Sequence, residues 1–361
     1  MSDLHLHAPQ YGYAGLYMDE ELLEWLDNHT FPEESKYRNP EYYKKGYDIF
    51  TDDLVHSETT RACIFATIHK DATLYLMEKL EKAGMSAFVG KVNMDRNSPD
   101  ILRETTEESY ETTLEWLEES ARFENVKPII TPRFIPSCSD ELMEKLGALV
   151  KERNLPVQSH LDENLGEIEW VKELCPWADH YSGAYDHFHM MGETPTVMAH
   201  VVWPTEVEEP LLKRKNVFIA HSPSSNTNIA SGIAPVKKYI TEGFNVGLAT
   251  DVAGGSNLHM FRMLTDMIQV SKLRWRLVSQ DWKPLTFAEG FWVATRGGGS
   301  FFGKVGALEV GFDADILVID TSCLRTPLID ELSPADRLEF YSYRHPGEFI
   351  TEKYVMGRRL F

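Results

Sequence analysis

The chain has 361 residues, enough for one large domain or two ordinary ones with a sizeable buried core. Its 56 acidic and 36 basic residues give a net charge of -20, which repels polyanions, so we expect no nucleic-acid partner. The four cysteines are widely spaced, and the sequence shows neither a signal-peptide pattern nor an apolar run of membrane-spanning length. We therefore expect a cytoplasmic protein with free thiols and no membrane partner.

Eight short apolar runs before residue 260 have the length and composition of strands. Helical periodicity lies between them, clearest over 73–83 and 139–153, and Thr105 with Glu108 predicts a capping box. This alternation predicts an α/β fold, a (β/α)8 barrel of the TIM type. An open doubly wound sheet is the alternative, but no Gly-x-Gly-x-x-Gly follows an early strand. The eight runs are 4–7, 62–67, 87–92, 127–132, 156–160, 196–200, 217–221 and 246–251.

The pattern changes after about residue 300, so we expect a barrel over 1–304 and a small C-terminal β appendage over 305–361. Within the appendage, 305–320 predicts two strands joined by a glycine-bearing turn, and 350–361 predicts a hairpin with Gly357 at its turn. The charged run 33–45 predicts a solvated loop or helix over the barrel mouth.

Polar side chains gather at one end of the eight runs. In a barrel the carboxyl ends of the strands converge around one axis, and chemistry is found there, whereas chance would place polar residues at both ends. The residues at or just past these ends are His5, His7, Arg133, His160, Glu163, His200, His221 and Asp251.

Four of these histidines have the chemistry of a metal site. His5 and His7 point to the same side of one strand because side chains alternate, and His160 and His200 end two others. Zinc takes neutral imidazole and carboxylate ligands, so we expect one Zn2+ per chain, although such a set also accepts Fe2+, manganese or cobalt. Asp251 can bind the metal weakly and accept a proton from its water, whose pKa a divalent cation lowers to roughly 7.

Two further residues have alternative interpretations. Glu163 can move a proton from that water to a ring nitrogen and then to a leaving amine, or it can be an exposed glutamate at a helix start. His221 can orient the water or the substrate, or it can be a hydrogen-bonded strand-end histidine. His187 and His189 also form a His-x-His, but they lie in a polar stretch that we expect to be a loop.

Arg133 and Phe134 pair a planar donor group with a flat apolar ring, which suits a planar heterocycle with a carbonyl oxygen. The alternative is that both are structural. Serine-hydrolase and cytidine-deaminase chemistry is not indicated, because the sequence has no Gly-x-Ser-x-Gly and no Pro-Cys-x-x-Cys signature.

Taken together, these motifs resemble the guanine deaminases of the amidohydrolase superfamily, in order over nearly the whole chain. The segments that carry the resemblance are His-Leu-His-Ala-Pro-Gln-Tyr at 5–11, Thr-Pro-Arg-Phe at 131–134, His-Leu-Asp-Glu-Asn at 160–164, Met-Ala-His at 198–200, His-Ser-Pro-Ser-Ser-Asn at 221–226 and Thr-Asp-Val-Ala-Gly-Gly at 250–255.

The resemblance implies zinc-dependent hydrolysis of guanine to xanthine and ammonia by a homodimer. Zinc would be held by the four histidines and Asp251, while Glu163 and Asp251 would move protons. Gln10 and Arg133 would hydrogen-bond the purine, with Phe134 packing on it. The alternatives are deamination of another aminated heterocycle (an adenosine derivative, 8-oxoguanine or a triazine) and a non-catalytic remnant serving as a binding or assembly module.

The sequence departs from the family pattern at its start. Members of the family usually carry strands before the first histidine motif, and these pair with the C-terminal strands in a small β-sandwich. Here Met1 and Ser2 alone precede Asp3, so we expect a partial sandwich with exposed apolar surface.

Overall fold

A computed structural model describes residues 1–344 and 349–361, and His345, a histidine without ligand spacing, lies outside these ranges. All eight predicted apolar runs contain strands. The third and fourth runs are each interrupted, so that ten short strands build the barrel. These are β1 (Ser2–His7), β2 (Arg61–Phe65), β3 (Ser86–Gly90), β4 (Val92–Asn93), β5 (Val126–Pro128), β6 (Thr131–Pro132), β7 (Val157–Leu161), β8 (Thr196–His200), β9 (Phe218–His221) and β10 (Asn245–Leu248).

The strands are parallel and close into a ring. The hydrogen-bonded orders are β1-β2-β3-β5, β4-β6 and β10-β9-β8-β7. On one side the ring closes where the Asp251 amide donates to the His5 carbonyl and the His7 amide to that of Val252, both at 2.8 Å. On the other side the Gln158 amide donates to the Ile130 carbonyl at 2.9 Å. The predicted (β/α)8 barrel is confirmed.

Helices surround the ring, and the described residues contain no helix long and apolar enough to cross a bilayer. The predicted helices 73–83 and 139–153 are confirmed, as is the capping box of Thr105 and Glu108. The helices are α1 (Leu22–Trp25), α2 (Phe31–Ser35), α3 (Pro40–His56), α4 (Lys70–Ala83), α5 (Thr106–Ser120), α6 (Asp140–Arg153), α7 (Leu165–Leu174), α8 (Tyr181–His187), α9 (Glu208–Arg214), α10 (Pro223–Asn228), α11 (Val236–Glu242), α12 (Met260–Leu277), α13 (Phe287–Trp292) and α14 (Pro334–Arg344). Short 3-10 turns span Ala8–Tyr13, Lys36–Arg38, Asp100–Leu102, Ile135–Ser137, Ser300–Phe302 and Thr321–Cys323, and π turns span Leu26–Thr30 and Val293–Gly297.

Small and medium apolar side chains fill the barrel interior. A cluster that includes Leu4, Cys63, Ile129 and Ala220 is buried there. Gly247 on β10 has no room for a larger side chain, because an added Cβ would lie 2.4 Å from Leu4 Cδ1. The interior is therefore a packed core, and the cavity of the barrel lies at its mouth.

The C-terminal appendage is a three-stranded antiparallel sheet of β11 (Ile316–Ile319), β12 (Ile350–Val355) and β13 (Arg358–Arg359). The hairpin predicted over 350–361 is confirmed, with Gly357 at its turn. The prediction of two strands over 305–320 is wrong for its first half. Gly306 and Gly311 there adopt positive φ values of 87° and 89°, which break an extended strand. The division of the chain after residue 304 stays a prediction.

The charged run 33–45 is helical, but it is not uniformly solvated as expected. Glu33, Glu34 and Tyr37 are buried, while most of the charged residues after Tyr37 are exposed. Phe31 and Tyr37 anchor this stretch in the core, which turns the intervening Glu34 inward. The run therefore contributes a buried carboxylate to the mouth of the barrel.

Candidate active site

The predicted metal-binding side chains lie at the carboxyl ends of four strands. His5 and His7 end β1, His160 lies near the end of β7, His200 is the last residue of β8, and Asp251 follows β10. His200 and Asp251 have positive φ values of 73° and 47°. Non-glycine residues adopt this strained backbone where the surrounding structure enforces it, often at functional sites.

Five side chains that are distant in sequence meet at one point. Nε2 of His7 lies 3.1 Å from Nε2 of His160, and Asp251 Oδ1 lies 3.0 Å from Nε2 of His5. Asp251 Oδ2 lies 3.7 Å from Nε2 of His200. Overlapping trios of these residues have ligand atoms within 4.8 Å of one another. The structure thus brings together all five residues of the predicted metal set.

Hydrogen bonds to the outer nitrogens of two rings set their orientation. Nδ1 of His160 donates to the Arg133 carbonyl at 2.6 Å, and Nδ1 of His200 donates to Oδ1 of Asn226 at 2.9 Å. A ring that carries its proton on Nδ1 alone directs a free lone pair on Nε2 into the site. Nε2 of His5 and of His200 make no hydrogen bond to the part of the chain that the structure describes.

Burial sets the protonation of the cluster. It lowers the pKa of His7 and His160 well below the usual value, and the charges of neighbouring histidines add to this. For Asp251, burial raises the pKa, but the adjoining His5 and His200 outweigh it and hold the pKa at about 2. Burial therefore favours the neutral form of His7 and His160, and the neighbouring histidines favour the ionised form of Asp251.

This donor set fits a divalent cation. The Nε2 atoms of His7 and His160 lie 3.1 Å apart, and His160, whose Nδ1 donates to the Arg133 carbonyl, presents a lone pair to this gap. Nitrogens bound to one zinc ion at about 2.0–2.1 Å lie about 3.3 Å apart, close to this separation. Neutral imidazole nitrogens and one carboxylate are also the ligand types that zinc prefers.

Glu163 is buried beside the cluster, so its interpretation as an exposed helix-start glutamate is wrong. Its Oε1 accepts a hydrogen bond from Oγ of Ser231 at 3.1 Å, and its Oε2 lies 3.4 Å from Nε2 of His200. Burial, reinforced by the charge of Asp251, raises the pKa of Glu163 well above its usual value. A raised pKa brings a carboxyl group closer to the working pH, which suits it to proton transfer.

A cavity opens beside the cluster, and the residues predicted to bind a planar ring line it. Gln10, Arg133 and Phe134 form part of its wall, and each is at most 5 % exposed. Leu22, Trp25 and Leu26 add an apolar surface. The cavity thus combines a flat aromatic face, hydrogen-bonding groups and the histidine cluster in one enclosure, as small-molecule sites commonly do.

Comparison with known proteins agrees with this geometry. The model of the Amidohydrolase family matches residues 1–344. The chain belongs to the amidohydrolase family. Within the family it stands among the guanine deaminases: it is 38 % identical over 365 residues to guanine deaminase of Dictyostelium discoideum, covering 99 % of this chain and 81 % of the relative.

Solved structures extend the comparison of this amidohydrolase. The crystal structure of guanine deaminase from C. acetobutylicum with bound guanine in the active site is 46 % identical, with a TM-score of 0.97 and coverage of 100 % of this chain and 86 % of that one. The structure of E. coli guanine deaminase is 33 % identical, with a TM-score of 0.91 and coverage of 100 % and 83 %.

Three further histidines lie outside the cluster and the cavity wall of the amidohydrolase, and of these His221 alone was predicted to act in the site. His221 is buried at the end of β9, and neither ring nitrogen has a hydrogen-bond partner among residues 1–344 and 349–361. Burial lowers the pKa of His221 to about 3, and its role in orienting water or substrate stays a prediction. The expected loop is wrong for His187, which ends α8 and contacts Trp177. His189 lies in the turn that follows the helix, and it pairs with Glu193.

Several site residues of the amidohydrolase escaped the sequence reasoning. Asn226 orients His200, Ser231 donates to Glu163, and Glu167 accepts a hydrogen bond from the Glu163 amide at 3.1 Å. Glu167 also completes a capping box with Asn164, a pattern that the sequence did show but that carries no information about chemistry. The most consequential omission is Glu34, which contacts both Gln10 and Arg133.

Proposed function

We propose that this chain catalyses the hydrolytic deamination of guanine to xanthine and ammonia. The observation that carries the proposal is the convergence of the histidine cluster with a cavity lined by Gln10, Arg133 and Phe134. Membership among the guanine deaminases supports it.

We propose that one zinc ion per chain is held by His5, His7, His160, His200 and Asp251. The free Nε2 lone pairs and the ionised carboxylate support this ligand set. A bound divalent cation lowers the pKa of water to roughly 7, which makes a nucleophile available at neutral pH. Fe2+ suits the same ligands, and metal analysis of the purified protein distinguishes the two ions.

Gln10, Arg133 and Phe134 bind the base in this proposal. The guanidinium of Arg133 and the amide of Gln10 hydrogen-bond the polar edge of the purine, and its plane packs on the ring of Phe134. A site built to pair these polar edges rejects analogues that lack them, since its own buried donors would be left unpaired.

Glu163 and Asp251 move the protons. The oxygen of water forms a bond to the amino-bearing ring carbon, and one of its protons passes through Glu163 to the adjacent ring nitrogen. The second proton passes from the new hydroxyl through Asp251 to the amino group. The carbon–nitrogen bond then breaks, ammonia leaves, and the new carbon–oxygen bond becomes the carbonyl of xanthine.

A substrate panel tests the proposed function. We expect the highest kcat/KM with guanine, measured as xanthine and ammonia in equal amounts, against adenosine, 8-oxoguanine and a triazine. Fast turnover of another base without turnover of guanine would contradict the proposal. Purified protein without stoichiometric metal and without activity on any of these bases would favour the non-catalytic alternative.

We further propose a homodimer in the cytoplasm. The family resemblance supports the dimer, and the free thiols of Cys63, Cys138 and Cys175, all buried, are consistent with a reducing compartment. Light scattering on the purified protein tests the first proposal, with a mass of about twice the 41.3 kDa of one chain as the expected result.

A further inference from the structure

Glu34 lies between two side chains that we have placed in the substrate site. Its Oε1 accepts a hydrogen bond from Nε2 of Gln10 at 2.8 Å, and its Oε2 accepts one from Nη1 of Arg133 at 2.7 Å. Glu34 is 1 % exposed, and it is not among the residues that line the cavity. It therefore supports two cavity-lining residues from behind.

The carboxylate of Glu34 determines which way the Gln10 amide points. An ionised carboxylate only accepts hydrogen bonds, so the amide atom that faces Glu34 must be the NH2 group. On its other side, the Gln10 carbonyl oxygen accepts from the backbone amide of Ala253 at 3.3 Å, a group that only donates. One N–H and one oxygen lone pair of Gln10 remain for a ligand, in a fixed arrangement.

Glu34 also holds the Arg133 guanidinium. The Arg133–Glu34 pair is buried, with side-chain exposures of 3 % and 1 %. Arg133 Cζ lies 5.1 Å from the centre of the Phe31 ring, which covers one face of the guanidinium. With Nη1 bound to Glu34 and one face covered, the remaining donors are restricted in direction, as recognition of a single oxygen requires.

We propose that Glu34 is a positioning residue that sets the selectivity of the site for purine bases carrying a ring carbonyl oxygen. It acts through Gln10 and Arg133, which present their free hydrogen-bonding groups to that edge of the base. The inference rests on the proposed function, because it assumes that a purine occupies the cavity.

The substitution Glu34→Gln removes one acceptor and one charge while preserving the shape of the side chain. A glutamine has one oxygen, so it can accept from Gln10 or from Arg133 but not from both, and its NH2 group then faces another donor. If Gln10 rotates to avoid this, its own NH2 group meets the Ala253 amide. Either outcome changes the hydrogen-bonding groups that Gln10 presents to the base. It also leaves the buried Arg133 guanidinium without its charged partner.

The test compares Glu34→Gln with the neighbouring Glu33→Gln. Glu33 is also buried, but it pairs with Lys36 and Tyr42 and contacts neither substrate-binding side chain. We expect Glu34→Gln to lose at least tenfold in kcat/KM for guanine, mainly through KM, while Glu33→Gln stays within twofold of wild type. Glu34→Asp, which retains the charge, should lie between Glu34→Gln and wild type.

The inhibition constants of two purines distinguish a positioning role of Glu34 from a general disturbance of the site. Hypoxanthine carries the ring carbonyl and purine does not, and neither has the amino group that is removed. In Glu34→Gln we expect hypoxanthine to bind at least tenfold more weakly, with purine changed less than twofold. Equal weakening of both, or hypoxanthine binding within twofold of wild type, would overturn the inference.

Two controls complete the design. Circular dichroism and thermal unfolding check that each variant folds. If Glu34→Gln does not fold, the inhibition constants of hypoxanthine and purine are measured in Glu34→Asp, where selective weakening of hypoxanthine is again the expected result and equal weakening of both would overturn the inference. Wild-type turnover of guanine is measured in parallel. Its absence would refute the proposed function itself, whereas an active wild type with an unaltered Glu34→Gln would refute the positioning role alone.

Discussion

Selected buried basic side chains are hydrogen-bonded differently at the two ends of the barrel. At the amino end, Arg61 donates from Nε to Asp315 at 2.7 Å, from Nη2 to Asp313 at 2.8 Å and from Nη1 to Ser86 at 2.8 Å. Lys353 from β12 is fully buried there, and its Nζ donates to the carbonyls of Leu54, Val55 and Ser57. At the mouth, within the part of the chain that the structure describes, Nε2 of His5 and of His200 make no hydrogen bond.

This difference separates structural from functional polar groups. A buried polar atom costs free energy unless it is hydrogen-bonded, so a chain satisfies such atoms internally where stability is at stake. In the proposed function, a bound metal ion completes the open nitrogens at the mouth. The amino end should therefore respond to mutation through stability, and the mouth through metal content and activity.

The largest effect is expected from His160→Ala, which removes one proposed zinc ligand. We expect loss of stoichiometric zinc and a fall in guanine turnover of roughly ten-thousandfold or more, since water then lacks its activating cation. Elemental analysis and a xanthine assay measure both quantities. Full zinc content with normal turnover would contradict the proposed contrast, because activity at the mouth would then not depend on the histidine cluster.

Glu163→Gln should affect activity but not metal. The variant retains the side-chain shape and all five proposed ligands but cannot carry a proton, so we expect turnover to fall by roughly a hundredfold to a thousandfold. Zinc content should match that of wild type in the same preparation. Near-normal turnover would refute the proton-transfer role of Glu163.

Lys353→Met should change stability and its pH dependence at the amino end. Burial lowers the pKa of Lys353 to about 7, below its value of about 10.4 in an unfolded chain. Between these values the unfolded state binds more protons, so the stability of wild type relative to Lys353→Met should rise with pH, by about 3 kcal/mol from pH 7 to 9.5. Urea unfolding at several pH values measures the difference.

The matched control for that series is Lys44→Met, which removes an exposed lysine. The difference in the free energy of unfolding between Lys44→Met and wild type should vary far less over the same pH range. A Lys353→Met difference that is flat with pH would mean that the buried amine is not destabilised in its charged form. Guanine turnover at pH 7 should be nearly unchanged in both variants.

The smallest effect is expected from Asn226→Ala, which removes the hydrogen bond that orients His200. Loss of such an outer contact typically weakens metal binding by about 10–100-fold, and we expect the lower part of that range. Competition with a chromophoric chelator measures the zinc Kd. The control Asn245→Ala, whose amide contacts the Asn216 carbonyl at the other end of the barrel, should leave the Kd unchanged.

The barrel and the histidine cluster could be predicted from the sequence because both depend on local patterns. Apolar runs bounded by polar residues mark the strands, and the barrel geometry then brings His5, His160 and Asp251 together without knowledge of any individual contact. The partners of these residues could not be predicted in this way. Asn226 and Ser231 are ordinary residues on loops and short helices until the chain has folded.

Glu34 shows most clearly what could not be predicted from the sequence. In the sequence it lies within a charged run, and such runs are usually solvated. Its burial depends on Arg133, which is 99 residues away and supplies the opposite charge. The failure over 305–315 has a similar cause, because the backbone around Gly306 is set by its close approach to the Thr295 carbonyl. In both cases a contact with another part of the chain determined the local structure.

The most direct test of the account is anomalous scattering at the zinc edge from crystals of the purified protein. The account predicts one peak per chain, within about 2.0–2.2 Å of ligand atoms from the histidine cluster and Asp251. A site without metal in protein that converts guanine at full rate, or a metal bound elsewhere in the chain, would contradict it.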